Sequence, residues 1–207
     1  MSYAHGEQVG TVDEHGHEGG RGINWWGMIF FIASEALIFA NFIAAYLYLE
    51  IRNGNWLLPT DLIYPFINTV ILLSSSIPAH YLVGRYVVKG NMSKVKLGLF
   101  LTILLGAIFL GGQVFEYSGL FGRHFLPSSA APGIGIFSSC FFMLTGFHGL
   151  HVTVGLIFLI IVLLRTLRGD FTAKNHFAIQ AAEMYWHFVD GVWIFVFSLV
   201  YLLPLIR

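Results

Sequence analysis

A chain of 207 residues that is 57% hydrophobic, 16% aromatic and only 11% charged, with a mean hydropathy of +0.74, lies outside the balance of a soluble domain. Eleven basic and eleven acidic residues cancel, so neither a nucleic-acid partner nor a polybasic membrane clamp is implied. The single cysteine, Cys140, can form no internal disulfide, and with no CxxC pair present it reads as a small buried hydrophobe.

Residues 1–24 are polar and glycine-rich and contain no apolar stretch ending in a cleavage site, so they read as a solvated, disordered tail and not as a signal peptide. The tail's His5, His15 and His17 could chelate a stray ion but have no scaffold around them. Residues 25–207 form the membrane part. Five apolar segments are long enough to cross about 30 Å of hydrocarbon, roughly 24–50, 62–86, 97–119, 135–165 and 178–204. The connections at 51–61, 87–96, 120–134 and 166–177 carry the Gly, Pro, Asn and Ser of turns and are too short for a soluble domain. No segment alternates polar and apolar residues, so the expected fold class is all-α: a polytopic bundle of five spanning helices. Trp25, Trp26, Trp56, Tyr64, Tyr86 and Tyr117 fall near helix ends, where interfacial aromatics belong. Arg21, Arg85, Lys89, Lys94, Lys96, Arg165, Arg168 and Lys174 lie on the side of the N-terminus, against Arg52, Arg123 and Arg207 on the other. This asymmetry predicts a cytoplasmic N-terminus and, after five crossings, an external C-terminus.

Ionisable groups at bilayer depth are costly, so those present need partners or water. The first span holds Glu35 about 11 residues in, near the midplane at 1.5 Å per residue, with only Ser34 and Asn41 as polar company in its own helix. A carboxyl there reads equally as a proton-handling group, a lipid contact, or a neutral acid bonded to backbone. Glu116, near the outer end of the third span, reads as an interfacial anchor. The fourth span contributes His148 and His151 one turn apart, and the fifth contributes Glu183, His187 and Asp190 on one helical face. Two such stripes at overlapping depth point to one interior polar network, whose simplest role is to fix helix packing. The spacing matches no recognised metal-ligand pattern. His148 and His151 are too close along one helix to serve two haems, and His80 and His187 complete the remaining candidates. No metal, haem or catalytic residue is therefore expected in this chain.

Three stretches, WGMIFFIASEALIF, FFMLTGFHGLHVTVG and YWHFVDGVWIFVF, closely resemble the signature blocks of subunit III of haem-copper oxidases, the cytochrome c and quinol oxidase family. They occur in order and the resemblance covers residues 25–204. It implies a non-catalytic core subunit of a respiratory oxidase that reduces dioxygen to water and pumps protons, with haem and copper held by partner subunits. Subunit I is the expected direct partner, with subunit II, a small subunit IV and bound phospholipid as further partners, and cytochrome c or quinol as the donor. The expected location is a prokaryotic cytoplasmic membrane.

The long family form has seven helices, and this chain resembles a short form whose first span corresponds to the third of those. By that resemblance Glu35 matches the family's intramembrane glutamate, His148 and His151 its histidine pair, and Trp186, His187, Asp190 and Trp193 its WHFVD block. Arg165 and Arg168 match lipid-phosphate contacts, and Glu35 joins them as a candidate lipid-binding residue. Where the cytochrome c branch usually has a glutamate six residues before that tryptophan, this chain has Gln180, with Glu183 one turn later. A small proton-linked transporter using Glu35 and Asp190, and a membrane scaffold unconnected with respiration, are the readings from other classes.

Overall fold

The computed structural model describes residues 22–53, 62–122, 134–172 and 175–206, and they are helical almost throughout, with no strand among them. The tail with His5, His15 and His17, and Arg21, Trp56, Arg123, Lys174 and Arg207, lie outside the described residues. Five helices are long and apolar enough to span a membrane. They are α1 (Ile23–Asn53), α2 (Ile63–Val88), α3 (Met92–Gly122), α4 (Ile134–Arg168) and α5 (Phe177–Leu205).

The helices stop where local chemistry stops them. Gly90 and Gly169 have φ of 69° and 87°, a left-handed conformation that costs a glycine little. Each closes its helix with a Schellman pair: Asn91 and Gly90 donate to the carbonyls of Tyr86 and Val87, and Asp170 and Gly169 to those of Arg165 and Thr166. The Asn91 side chain then accepts from the Lys94 amide at 3.3 Å and caps the start of α3. The α2–α3 connection thus shrinks to three residues, because the lysines at 94 and 96 lie inside the helix and not in the expected loop.

Two π-helical segments were not expected, and each adjoins a proline. Pro78 lacks an N–H and its ring crowds the carbonyl four residues back; the next six residues, Ala79–Gly84, wind as π-helix. In α5, Ser198–Leu202 is π-helical just before Pro204.

In the bundle α2 packs on α3, α3 on α4, α4 on α5, and α5 back on α2, while α1 lies against α4 and α5. Two α5 tryptophans organise the closed four-helix unit. The Trp186 ring enters between α3 and α4 where Gly106 and Gly155 leave room; a Cβ on Gly106 would come within 2.6 Å of it. Its indole N–H donates to Ser75 of α2 at 2.8 Å, and that of Trp193 to Thr69 at 3.0 Å. Both rings are fully buried, so each donor is satisfied where water is absent.

Candidate functional site

Glu35 and His151 meet across α1 and α4. The carboxyl Oε2 lies 2.9 Å from imidazole Nε2, with side-chain exposures of 21% and 9%. The other nitrogen, Nδ1, lies 2.9 Å from the Phe147 carbonyl, which can only accept, so Nδ1 carries a hydrogen. The contact at Nε2 therefore holds one shared proton. Either a neutral carboxyl donates to the imidazole lone pair, or an imidazolium donates to a carboxylate; both arrangements are neutral overall, which suits an apolar surround. That surround is aromatic: Phe39 and Phe147 have ring centroids 4.8 and 4.7 Å from that of His151, and Phe39 is itself buried.

His148, three residues earlier, does something else. It is 1% exposed, its ring lies 4.7 Å from Trp193 at an interplanar angle of 31°, and Phe109 presents an edge to it. Neither nitrogen has a hydrogen-bond partner among the described residues. The expectation that both imidazoles act as interior hydrogen-bonding groups thus fits the geometry of His151 and not that of His148. Helical rotation turns His148 toward α3 and α5, where the rings of Phe109 and Trp193 meet it.

The α5 stripe faces α2. Ser76 donates to the Asp190 carboxylate and lies 3.3 Å from His187 Nδ1; Asp190 is buried. One turn toward the start of α5, Glu183 Oε1 lies 3.7 Å from His187 Nε2 and 3.4 Å from Nδ1 of His80, which the π-helical turn of α2 presents. Glu183, His187 and Asp190 are brought together with Ser76 and His80. Among the described residues no hydrogen bond joins this group to Glu35 and His151, so the six candidate polar residues fall into three groups, not one network.

Sequence reading missed two buried carboxyl positions. Glu116 is 6% exposed and accepts from the Tyr201 hydroxyl at 2.9 Å, tying α3 to α5; it is not the interfacial anchor expected. The signal was available, because Phe109, Gln113, Glu116 and Leu120 recur at helical spacing on one buried face. Glu50 near the end of α1 is also buried. Arg165 pairs through Nε with Asp170 at 3.1 Å and lies over the Phe171 ring; both Arg165 and Arg168 are exposed. Between α1 and α4 a mainly apolar cleft of about 330 Å³ is lined by Phe42, Ala45, Tyr46, Cys140, Met143 and Leu144 together with Ser139, so Cys140 is half-buried at a cleft wall and not in the core.

Residues 7–204 match the family described as cytochrome c oxidase subunit III. The chain is 38% identical over 182 residues to cytochrome c oxidase subunit 3 of Thermostichus vulcanus, covering 86% of each protein. It is 38% identical over 197 residues to that of Synechocystis sp., covering 92% of this chain and 80% of the relative. With the Rattus norvegicus protein it shares 40% identity over 186 residues, covering 85% of this chain and 68% of the relative.

Proposed function

The chain belongs to the cytochrome c oxidase subunit III family and has the subunit III role in a terminal oxidase, and on that premise we propose how it serves that complex. The observation that carries the reading is similarity running through nearly the whole chain at nearly matched length. The complex reduces dioxygen to water and pumps protons. This chain holds no redox centre and acts by supporting subunit I, with subunit II and a small subunit IV completing the core. The relatives' names favour cytochrome c over quinol as donor. The N-terminus is cytoplasmic and the C-terminus external, in a prokaryotic cytoplasmic membrane. The lack of a hydrogen-bonded link between Glu35 and Asp190 among the described residues weighs against a proton-linked transporter built on those two residues.

Lipid is the second part of the proposal. The cleft between α1 and α4 has a mainly apolar lining and a volume that suit part of an acyl chain, and it lies along the helix pair that Glu35 and His151 join. Arg168, exposed at the far end of α4, has no ion pair among the described residues and can fork onto a phosphate, while Arg165 must first leave Asp170.

Purification of the native complex through a tag on this chain tests the reading. Haem-containing partners should co-purify, and the chain expressed alone should be colourless. A tagged chain that brings down no haem protein, or a stoichiometric Soret band in the isolated chain, would contradict it.

A further inference from the structure

We propose that His80, Glu183 and His187 form a binding site for a divalent transition cation of zinc's class, bridging α2 and α5. Each residue offers one ligand atom, and the three atoms lie within 4.8 Å of one another; the pairs that meet most closely are His80 Nδ1 with Glu183 Oε1 and His187 Nε2 with Glu183 Oε1. The carboxylate oxygen is 3.4 Å from one imidazole nitrogen and 3.7 Å from the other. Those separations are long for hydrogen bonds, which close at about 2.7–3.2 Å. They suit two ligands sharing one ion: bonds of about 2.0–2.1 Å at tetrahedral angles put ligand atoms about 3.3–3.4 Å apart. The third separation closes by rotation of the His80 side chain, which is 56% exposed.

A second observation concerns tautomer and orientation. The Ser76 hydroxyl gives its hydrogen to Asp190, so towards His187 Nδ1 it can only accept, and Nδ1 must carry the proton. The lone pair of the neutral His187 ring is thereby fixed on Nε2, a buried atom with no hydrogen-bond partner among the described residues, 3.7 Å from Glu183 Oε1. A ligating histidine held from behind through a hydroxyl to a carboxylate is the arrangement that orients zinc-binding imidazoles. The seat for the carboxylate is also built: a Cβ on Gly84 would collide with Glu183, so the glycine at the end of the π-helical turn keeps that space open. Two imidazoles and one carboxylate select a borderline transition cation over magnesium or calcium, which prefer all-oxygen shells. The exposed flank of His80 leaves a fourth position for water. No spacing along one helix could reveal this set, because its members come from α2 and α5.

The purified full-length chain in nanodiscs, titrated with Zn²⁺ against a chromophoric chelator, tests the site. One Zn²⁺ should be lost, or its affinity lowered at least about tenfold, in His80→Gln, whose exposed side chain can change without disturbing the fold, and also in His187→Gln. Ser76→Ala, which keeps all three ligands, should weaken binding about tenfold through the lost orientation of His187, and Ser76→Thr should restore it. Magnesium should not compete, and replacing His5, His15 and His17 by Gln should leave this site intact. Zinc affinity within twofold of wild type in His80→Gln and His187→Gln would overturn the proposal, as would a wild-type chain that binds no Zn²⁺ or a tail variant that loses it all.

Discussion

Helix α1 and the unit formed by α2–α5 solve the same problem in different ways. In the most apolar stretch of α1 only 6% of residues are buried, against 33–39% in the other four spans. The four-helix unit is held by shape: Trp186 fills the space left by Gly106 and Gly155, and indole donors reach hydroxyls on a facing helix. Helix α1 has no such tryptophan interlock among the described residues. It rests on the buried side chains of Phe39 and Tyr46, on the hydrogen bond that the Tyr46 hydroxyl donates to the Leu199 carbonyl of α5 at 3.4 Å, and on the Glu35–His151 contact. Lipid tails solvate Leu and Phe as well as a neighbouring helix does, so the apolar faces of α1 give it little reason to dock. A polar pair that would otherwise face hydrocarbon does, and it carries a disproportionate share of that attachment. The lesson is that one partly buried acid near the middle of an apolar helix, met by a partner on the next helix, can decide where that helix sits.

The comparison can be broken at its strong side first. Trp186→Ala should destabilise the bundle by about 3–5 kcal/mol, since it empties a large buried volume and removes the indole donor to Ser75. Unfolding monitored by circular dichroism in detergent would show it, and a loss near zero would mean the tryptophan interlock is incidental. Glu35→Leu or His151→Leu should cost less, about 1–2 kcal/mol, and raise hydrogen exchange in α1 while leaving α2–α5 protected. Tyr201→Phe, which removes the donor to Glu116 and leaves a buried carboxyl short of a partner, should cost about 1 kcal/mol with α1 unaffected. Asp170→Asn breaks only the exposed pair with Arg165 and should change stability by about 0.5 kcal/mol or less. A reordering of these four would mean that burial is not what ranks them.

Much of this is legible in the sequence, and for definite reasons. The spans are legible because hydrocarbon demands long apolar runs, and Glu35 stands out because almost nothing polar surrounds it in its own helix. Partnership between helices is not legible that way. His148 and His151 look like equivalents one turn apart, yet only a known neighbour decides that one meets a carboxyl and the other a tryptophan face. His80 reads as an isolated histidine because the π-helical turn that brings it to Glu183 depends on how α2 accommodates Pro78. Glu116 is misplaced by position alone, since nearness to a helix end resembles exposure until its buried stripe is traced.

The attachment of α1 through Glu35 is tested most directly by a distance measurement across it. Spin labels at Leu37 on α1 and Leu164 on α4, both exposed, with Cys140 replaced by Ser, report by pulsed EPR on how firmly the two helices are joined. Because His151 Nδ1 is tied to the Phe147 carbonyl, Nε2 can accept from a Gln amide as well as from a protonated Glu. Glu35→Gln should therefore keep the narrow distribution of the parent, and Glu35→Leu should broaden it or move its centre. Superimposable distributions for Glu35→Leu and the parent would contradict the account, and would leave aromatic packing around Phe39 as what holds α1 in place.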